Sequence, residues 1–441
     1  MSFKTLPFKN LNADAWRNLA LAAVALLYVA NFIALIIKVG VENGVGGDFF
    51  AYWSAGKTAR IFGFSQIYDQ EILGQVQFAN IGLTVTPAEE FTPVLLPYLY
   101  LSIFLTPFYF LSFLSLAAGY WLWTILNFLA LIIYLIFLIR DFSGGNISQT
   151  RRKIILLSLL LSFPVYVNFL NGQIELFNVI CCGEFLRNAV NKKPVLSGIW
   201  LGGMLLKPQL LVLVILALLL MKNWKIIRGF VVSAVGIFAI SVSLSGVEGS
   251  LELLNLWTGK SPMIVSFAPE DMANWRMLGV NFNNWTSTSL GWILTGIGVA
   301  ATVMLCVILI RRQPVMGSNQ WVTTLFAIFA ASCLVSWHSH IHIGMVLLPF
   351  LLLAQFSRCP ENPHRILNLF VFAFPVALMG GSVIKIILMA LQLTPIDNLI
   401  DFLLGLAGII VYITILVTIV KTKAPGNPLK VHLSERHLAD R

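Results

Sequence analysis

The stretch Gly47–Trp53, just after the first long apolar run of the chain, holds one carboxylate, Asp48, followed at once by Phe49, Phe50, Tyr52 and Trp53. An acid at the depth where a helix would leave a bilayer, beside rings suited to the headgroup layer, is a seat for chemistry on a lipid-borne substrate. The same acid follows two glycines and precedes a helical pattern, so it also reads as a helix N-cap that accepts backbone N–H bonds. The residues alone leave both readings open.

Four further polar groups interrupt apolar runs, where a polar side chain needs a partner or a task. Gln173 and Glu175 sit together at a membrane boundary, although the preceding Asn171-Gly172 is also ordinary turn chemistry and Gln173 also suits a cap. Lys207, in Lys207-Pro208-Gln209, lies near the middle of the apolar stretch 195–221. The proline predicts a kink, and a lysine too central to snorkel requires an anion. A lipid phosphate would serve, as would an acidic side chain such as Glu175 in a structural ion pair. His338, His340 and His342 alternate at the end of another run. On a strand they would share a face; on a helix they fan out, with only His338 and His342 one turn apart. No neighbouring acid supplies Glu-x-x-His or His-Glu-x-x-His spacing, so hydrogen bonding to a phosphate or sugar suits them better than a metal, with surface histidines of no role as the alternative. Finally, Asn283 and Asn284 beside Phe282 and Trp285 combine amides with aromatic rings, as sugar recognition does, and as many loops do.

The elements that must position these groups are membrane helices. Of 441 residues 58% are hydrophobic and only 11% charged, against about 25% charged in soluble domains. Apolar runs of about 20 residues exclude a β-barrel, whose strands are shorter and alternate. The spacing predicts an all-α polytopic fold of about 10–13 spans, near 18–38, 93–114, 120–139, 153–170, 174–186, 195–221, 224–245, 289–310, 321–337, 341–356, 366–393 and 399–420. Residues 1–17 and the tail 421–441 are then cytoplasmic, flanking one transmembrane domain over 18–420. Residues 40–92 form a first outer loop carrying interfacial helices over 48–61 and 65–79, and 246–287 a second outer loop. The net charge of +10 falls in clusters such as Arg151-Arg152-Lys153 between apolar runs, which orients loops rather than binding nucleic acid. One conflict arises. If 93–114 and 120–139 form a simple hairpin, Arg151-Arg152-Lys153 emerges on the outer side, against the positive-inside tendency, unless an interrupted segment is re-entrant. Five cysteines without CxxC spacing read as buried apolar residues. The first run is too long for a signal-peptide core and reads as an uncleaved anchor. No fixed-period repeat supports an inverted-repeat transporter.

Taken together, Asp48 with Tyr52 four residues on, Gly56, Ile67-Tyr68-Asp69, Phe91-Thr92-Pro93 with Pro97, Gly172-Gln173, Ser197-Gly198 and Gly202 ahead of Lys207-Pro208-Gln209, and Ser336-x-His338-x-His340 before Leu347-Leu348-Pro349 resemble glycosyltransferase family 87. These are integral-membrane enzymes of the GT-C superfamily that use polyprenyl-phosphate mannose. The resemblance runs from Asp48 through Pro349. The sequence departs from it at Glu175, where the family usually has Asn, in lacking paired prolines near Pro93, in lacking an acid after the histidines, and in a loose counterpart, Ser287-Thr288-Ser289-Leu290, of the Asn-Gln-Ser-Leu segment.

What the resemblance implies is a GT-C-type bundle and an inverting transfer of a sugar, mannose first, from a polyprenyl-phosphate donor to a lipid or glycan acceptor. Asp48 is then the general base that takes the acceptor's proton. The leaving phosphate is already stable as an anion and needs only donors, with Lys207, His338 and His340 as candidates. Tyr52, Gln173, Glu175, Gln209, Asn283 and Asn284 are candidate sugar or acceptor contacts. No cofactor is implied; Phe49 beside Asp48 leaves no second acid there, so metal independence is the expectation, with a divalent ion still open. The setting implied is a bacterial plasma membrane with the site on its extracytoplasmic side, and no nucleic acid among the partners. The rival class is a transporter or flippase of a lipid-linked substrate, whose polar residues would line a path.

Overall fold

A computed structural model of the chain describes residues 13–39, 46–81, 96–144, 147–259, 268–357, 360, 363–392 and 398–422. Among the described residues there are helices and no strands. In order these are α1 (Ala13–Val39), α2 (Gly47–Phe62), α3 (Gln70–Ile81), α4 (Thr106–Leu111), α5 (Leu116–Ser143), α6 (Gln149–Leu160), α7 (Phe163–Asn171), α8 (Glu175–Val190), α9 (Pro194–Gly203), α10 (Leu211–Leu220), α11 (Trp224–Trp257), α12 (Trp275–Thr286), α13 (Gly291–Arg311), α14 (Asn319–Val335), α15 (Leu348–Ser357), α16 (Pro363–Ala390) and α17 (Leu399–Lys421). The expected N-terminal segment before Ala13, the tail beyond Thr422, Cys359 and Phe91-Thr92-Pro93 lie outside the described residues.

Six of these helices, α1, α5, α11, α13, α16 and α17, are long and apolar enough to cross a membrane, and α6 with α7, bent by 52°, is a broken span or a re-entrant pair. The higher count expected from apolar runs differs because four of those runs form five apolar helices of only 10–17 residues, 195–221 being split in two. Residues 96–114 give the clearest case. Pro97 and Thr106-Pro107 interrupt the run, so it yields an extended stretch, one 3₁₀ turn and the six-residue α4, with Pro107 in the first turn. Nothing there crosses. α5 then starts at its Ser115 cap, whose hydroxyl accepts from Ala118 N.

That result removes the charge conflict. Arg151 Nη2 donates to Gln355 O (3.0 Å), joining the start of α6 to the end of α15, and Arg17 and Arg151 both lie near His364 at the start of α16. Arg187, late in α8, faces Asp141, late in α5. Gln313 Nε2 reaches Leu220 O at the end of α10, and Arg312 reaches Val420 O (2.6 Å) and Thr422 O (3.2 Å) at the end of α17. The basic ends of the helices therefore gather at one end of the bundle, Arg151-Arg152-Lys153 with them.

From that basic end, α9 and α10 rise and return as a hairpin. Each is ten residues long with one 3₁₀ turn beyond it, about 20 Å in all, short of a bilayer's roughly 30 Å core. Lys207 stands at the tip, φ −131° and ψ 76°. The expected kink at Lys207-Pro208 is thus a complete break. α14 and α15 form a second such hairpin, with 336–347 at its tip, and α7 and α8 a third, turning at Gly172 (φ +63°).

α9 packs closely, backbone to backbone, against α11. A Cβ at Gly198 would run into the carbonyl of Ile226, and one at Gly229 into that of Val195. Gly198→Val should therefore cost about 3 kcal/mol by overpacking, read as a lowered melting temperature of the detergent-solubilised protein. An unchanged melt would mean that the two backbones separate freely. α11 runs on until Gly246, whose φ of +72° breaks it where the sequence predicts a loop to begin. The described cysteines, Cys181, Cys182, Cys306 and Cys333, are buried free thiols, as their apolar surroundings predict.

Candidate active site

The three hairpin tips and the start of α2 meet around one cavity of about 570 Å³. Asp48, Tyr52, Gln173, Lys207, His338 and His340 all border it. Segments more than 100 residues apart in sequence are thus brought to one place because broken helices put their polar turns toward the same space.

Asp48 is in the first turn of α2, and the N-cap position belongs to Gly46 in the left-handed conformation (φ +89°). The N-cap reading of Asp48 is therefore superseded, and its carboxylate is turned to the cavity. Burial pushes the Asp48 carboxyl above the ordinary range, while a hydrogen bond from Gln173 and the nearby Lys207 pull it back. Gln173 is fixed from its other side: Tyr52 Oη donates to its Oε1 at 2.7 Å, and Tyr100 Oη lies 3.2 Å from Tyr52 Oη. Tyr52→Phe deletes this anchor without opening a void. It should lower turnover about tenfold by freeing Gln173 and Asp48, with stability within about 1.5 kcal/mol of wild type, the worth of one hydrogen bond. Steady-state transfer rates and thermal melts of the pair decide it, and wild-type turnover would show that the tyrosine merely packs.

Lys207 is paired on its inner side. Its ammonium contacts Glu175 Oε1 and donates to His342 Nε2 at 3.1 Å. Glu175 opens α8, is fully buried and does not reach the cavity; its Oε2 accepts from Asn178 Nδ2 at 2.9 Å. The structure thus places Glu175 behind Lys207, rather than at a sugar or acceptor.

His338 and His340 lie edge to face, ring centroids 4.8 Å apart, and His340 stacks near His342 at 5.9 Å. Burial, together with His340 and Lys207, holds His338 down at about 3, so its imidazole is neutral and offers one N–H as a donor rather than a charge. Gln209 does not border the cavity; its Nε2 approaches His338 O at 3.4 Å and supports that turn. Asn283 and Asn284 are also elsewhere. Asn283 Oδ1 accepts from Gly291 N at the start of α13 (2.7 Å), and Asn284 is exposed. Among the described residues, no three His, Cys, Asp or Glu side chains converge as a metal-holding group.

Tyr100, Asp271 and Asp401 also border the cavity and carry no local signal in the sequence; Tyr100 joins the polar wall with His342, and the two acids face the cavity from another side. Burial, with Asp401 and Glu270 nearby, pushes Asp271 up to about 6. Asn281 supports that turn by donating to Glu270 O at 3.1 Å. The remaining flank is apolar, formed by Phe163, Val167 and Leu170 of α7, Leu378 of α16, and Ile400 and Leu404 of α17.

Comparison with known proteins bears on one stretch. The model of glycosyltransferase family 87 matches residues 98–337, which hold Tyr100, Gln173, Glu175 and Lys207 and end one residue before His338. No curated protein and no solved structure matches the chain. The match covers more than half of the 441 residues, and with its polytopic helical fold the chain belongs to glycosyltransferase family 87, a family of membrane glycosyltransferases.

Proposed function

We propose that this chain transfers a sugar, mannose first, from a polyprenyl-phosphate carrier to a lipid or glycan hydroxyl, with inversion and with Asp48 as general base. One observation carries the reading: a carboxylate, Asp48, and a set of phosphate donors, Lys207, His338 and His340, border the same cavity. The acceptor hydroxyl is a poor nucleophile until Asp48 removes its proton as the oxygen attacks the anomeric carbon. The bond from that carbon to the phosphate oxygen breaks on the opposite side. Lys207 and the imidazole N–H groups of His338 and His340 then stabilise the departing phosphate, which needs no proton. Gln173 and Tyr52 orient the sugar or acceptor. No cofactor enters this scheme.

The basic helix ends lie away from the cavity, so the positive-inside tendency supports a cytoplasmic basic end, a cytoplasmic tail and an extracytoplasmic site. A bacterial plasma membrane is the setting proposed. The test is transfer by purified protein in nanodiscs, offered polyprenyl-phosphate-[14C]mannose with a membrane lipid extract, then other lipid-linked sugars. Label in a new glycosidic bond is the expected result. Label that crosses a bilayer unchanged, with no new bond, would replace this reading with a lipid transporter.

A further inference from the structure

Glu175 is fully buried and does not border the cavity, yet it is paired with Lys207, which does. An ammonium has three N–H donors and no lone pair. On Lys207 one faces Glu175 Oε1, and a second is accepted by His342 Nε2, which fixes the His342 proton on Nδ1. One donor is left for the cavity. Among the described residues that border the cavity, Lys207 is the only Lys or Arg, against Asp48, Asp271 and Asp401. With Glu175 directly behind it, Lys207 acts as half of a neutral pair rather than as a free cation.

We propose that Glu175 tempers Lys207 so that the site accepts a phosphodiester monoanion and releases a phosphomonoester dianion. The inference rests on the transfer reading above. In that reaction the carbon–oxygen bond to the phosphate breaks as the new glycosidic bond forms, and the acceptor's proton passes to Asp48. The donor phosphate carries one negative charge; the product, a monoester, carries between about 1.5 and 2 near neutral pH. A lone buried cation would hold the product more tightly than the donor and would slow each turnover at release. The pair lessens that preference without abolishing it, because Glu175, set behind Lys207, offsets part of the attraction that Lys207 exerts on the added charge. Glu175 is a positioning and charge-setting residue, not a catalytic one.

The test uses short carriers and needs no turnover. Wild type, Glu175→Gln and Glu175→Asp in nanodiscs are titrated calorimetrically with farnesyl phosphate, a monoester, and farnesyl methyl phosphate, a diester, at one pH and ionic strength. Wild type should bind the two within about threefold, whereas Glu175→Gln should bind the monoester about tenfold more tightly and the diester much less changed. Glu175→Asp, which keeps the charge, should behave as wild type. A wild-type preference for the monoester above about tenfold, or equal shifts for both probes in Glu175→Gln, would overturn the proposal. If Glu175→Gln does not fold, the wild-type ratio alone decides. Failure of wild type to bind either probe would overturn the phosphate role of Lys207 and this inference together; normal binding without transfer would count against the proposed reaction only.

Discussion

Asp48→Asn should leave a folded protein whose transfer rate has fallen by about three orders of magnitude, within the range that a positioned general base contributes. The substitution is isosteric, and Asn keeps a carbonyl oxygen to accept from Gln173, so Tyr52, Gln173 and the start of α2 stay in register. Stability should hold or rise. A carboxyl whose folded value lies above its unfolded one destabilises the fold once ionised, and the amide removes that cost. The pH profile carries the same sign. The base works when unprotonated, so wild-type turnover should rise with pH through the elevated Asp48 value, and fall on acidification sooner than for an ordinary carboxylate. The residual rate of Asp48→Asn should lack that limb. Initial rates across pH, with thermal melts of both proteins, check all three points. Undiminished transfer would reduce Asp48 to a structural acid and turn the search for the base to His338, since Glu175 is sealed from the cavity.

Lys207→Met should be damaging twice, and the two losses can be separated. The first is stability: Glu175 would keep Asn178 but lose its cation in a fully buried place, which costs about 3–5 kcal/mol. The second is function, because the cavity would lose its one lysine. Lys207→Met combined with Glu175→Gln removes both charges together. That double variant should recover most of the stability, since a neutral pair of similar volume can replace a buried ion pair at little net cost. It should not recover transfer. Melts and labelled transfer on the two single variants and the double close the cycle. Transfer restored along with stability would show that Lys207 serves the hairpin tip alone.

The parts legible in the sequence were those where one residue violates its surroundings. Lys207 in an apolar run, Gln173 at a run boundary, and Asp48 among aromatics each announce themselves, because a polar group in a membrane helix is costly wherever the chain goes next. Asp271 and Asp401 do not. One sits in an acidic loop and the other in the first turn of α17, both ordinary places for Asp, and only the packing of α12 and α17 brings them to the cavity. Asn283 shows the reverse failure: its amide and aromatic neighbours suggest a sugar site, yet a bare backbone N–H at Gly291 claims its oxygen. His342 was visible as part of the histidine run, but nothing local ties it to a lysine 135 residues away. For the fold, hydropathy marks apolar runs without saying whether each crosses or turns back. The prolines of 96–114 and Lys207-Pro208 decide that, and their effect depends on which neighbours satisfy the freed backbone groups.

The apolar flank formed by α7, α16 and α17 has a kinetic consequence. A ligand with a hydrocarbon tail can come to such a cavity sideways, its tail lodged among Phe163, Val167 and Leu404 while its head meets Lys207. Its search is then two-dimensional, over the plane of the membrane, and dilution with inert lipid slows it while dilution with buffer does not. For the lipid-borne donor proposed above, Michaelis constants would belong in mole per cent of lipid, and comparisons between detergents would hold only at matched micelle composition.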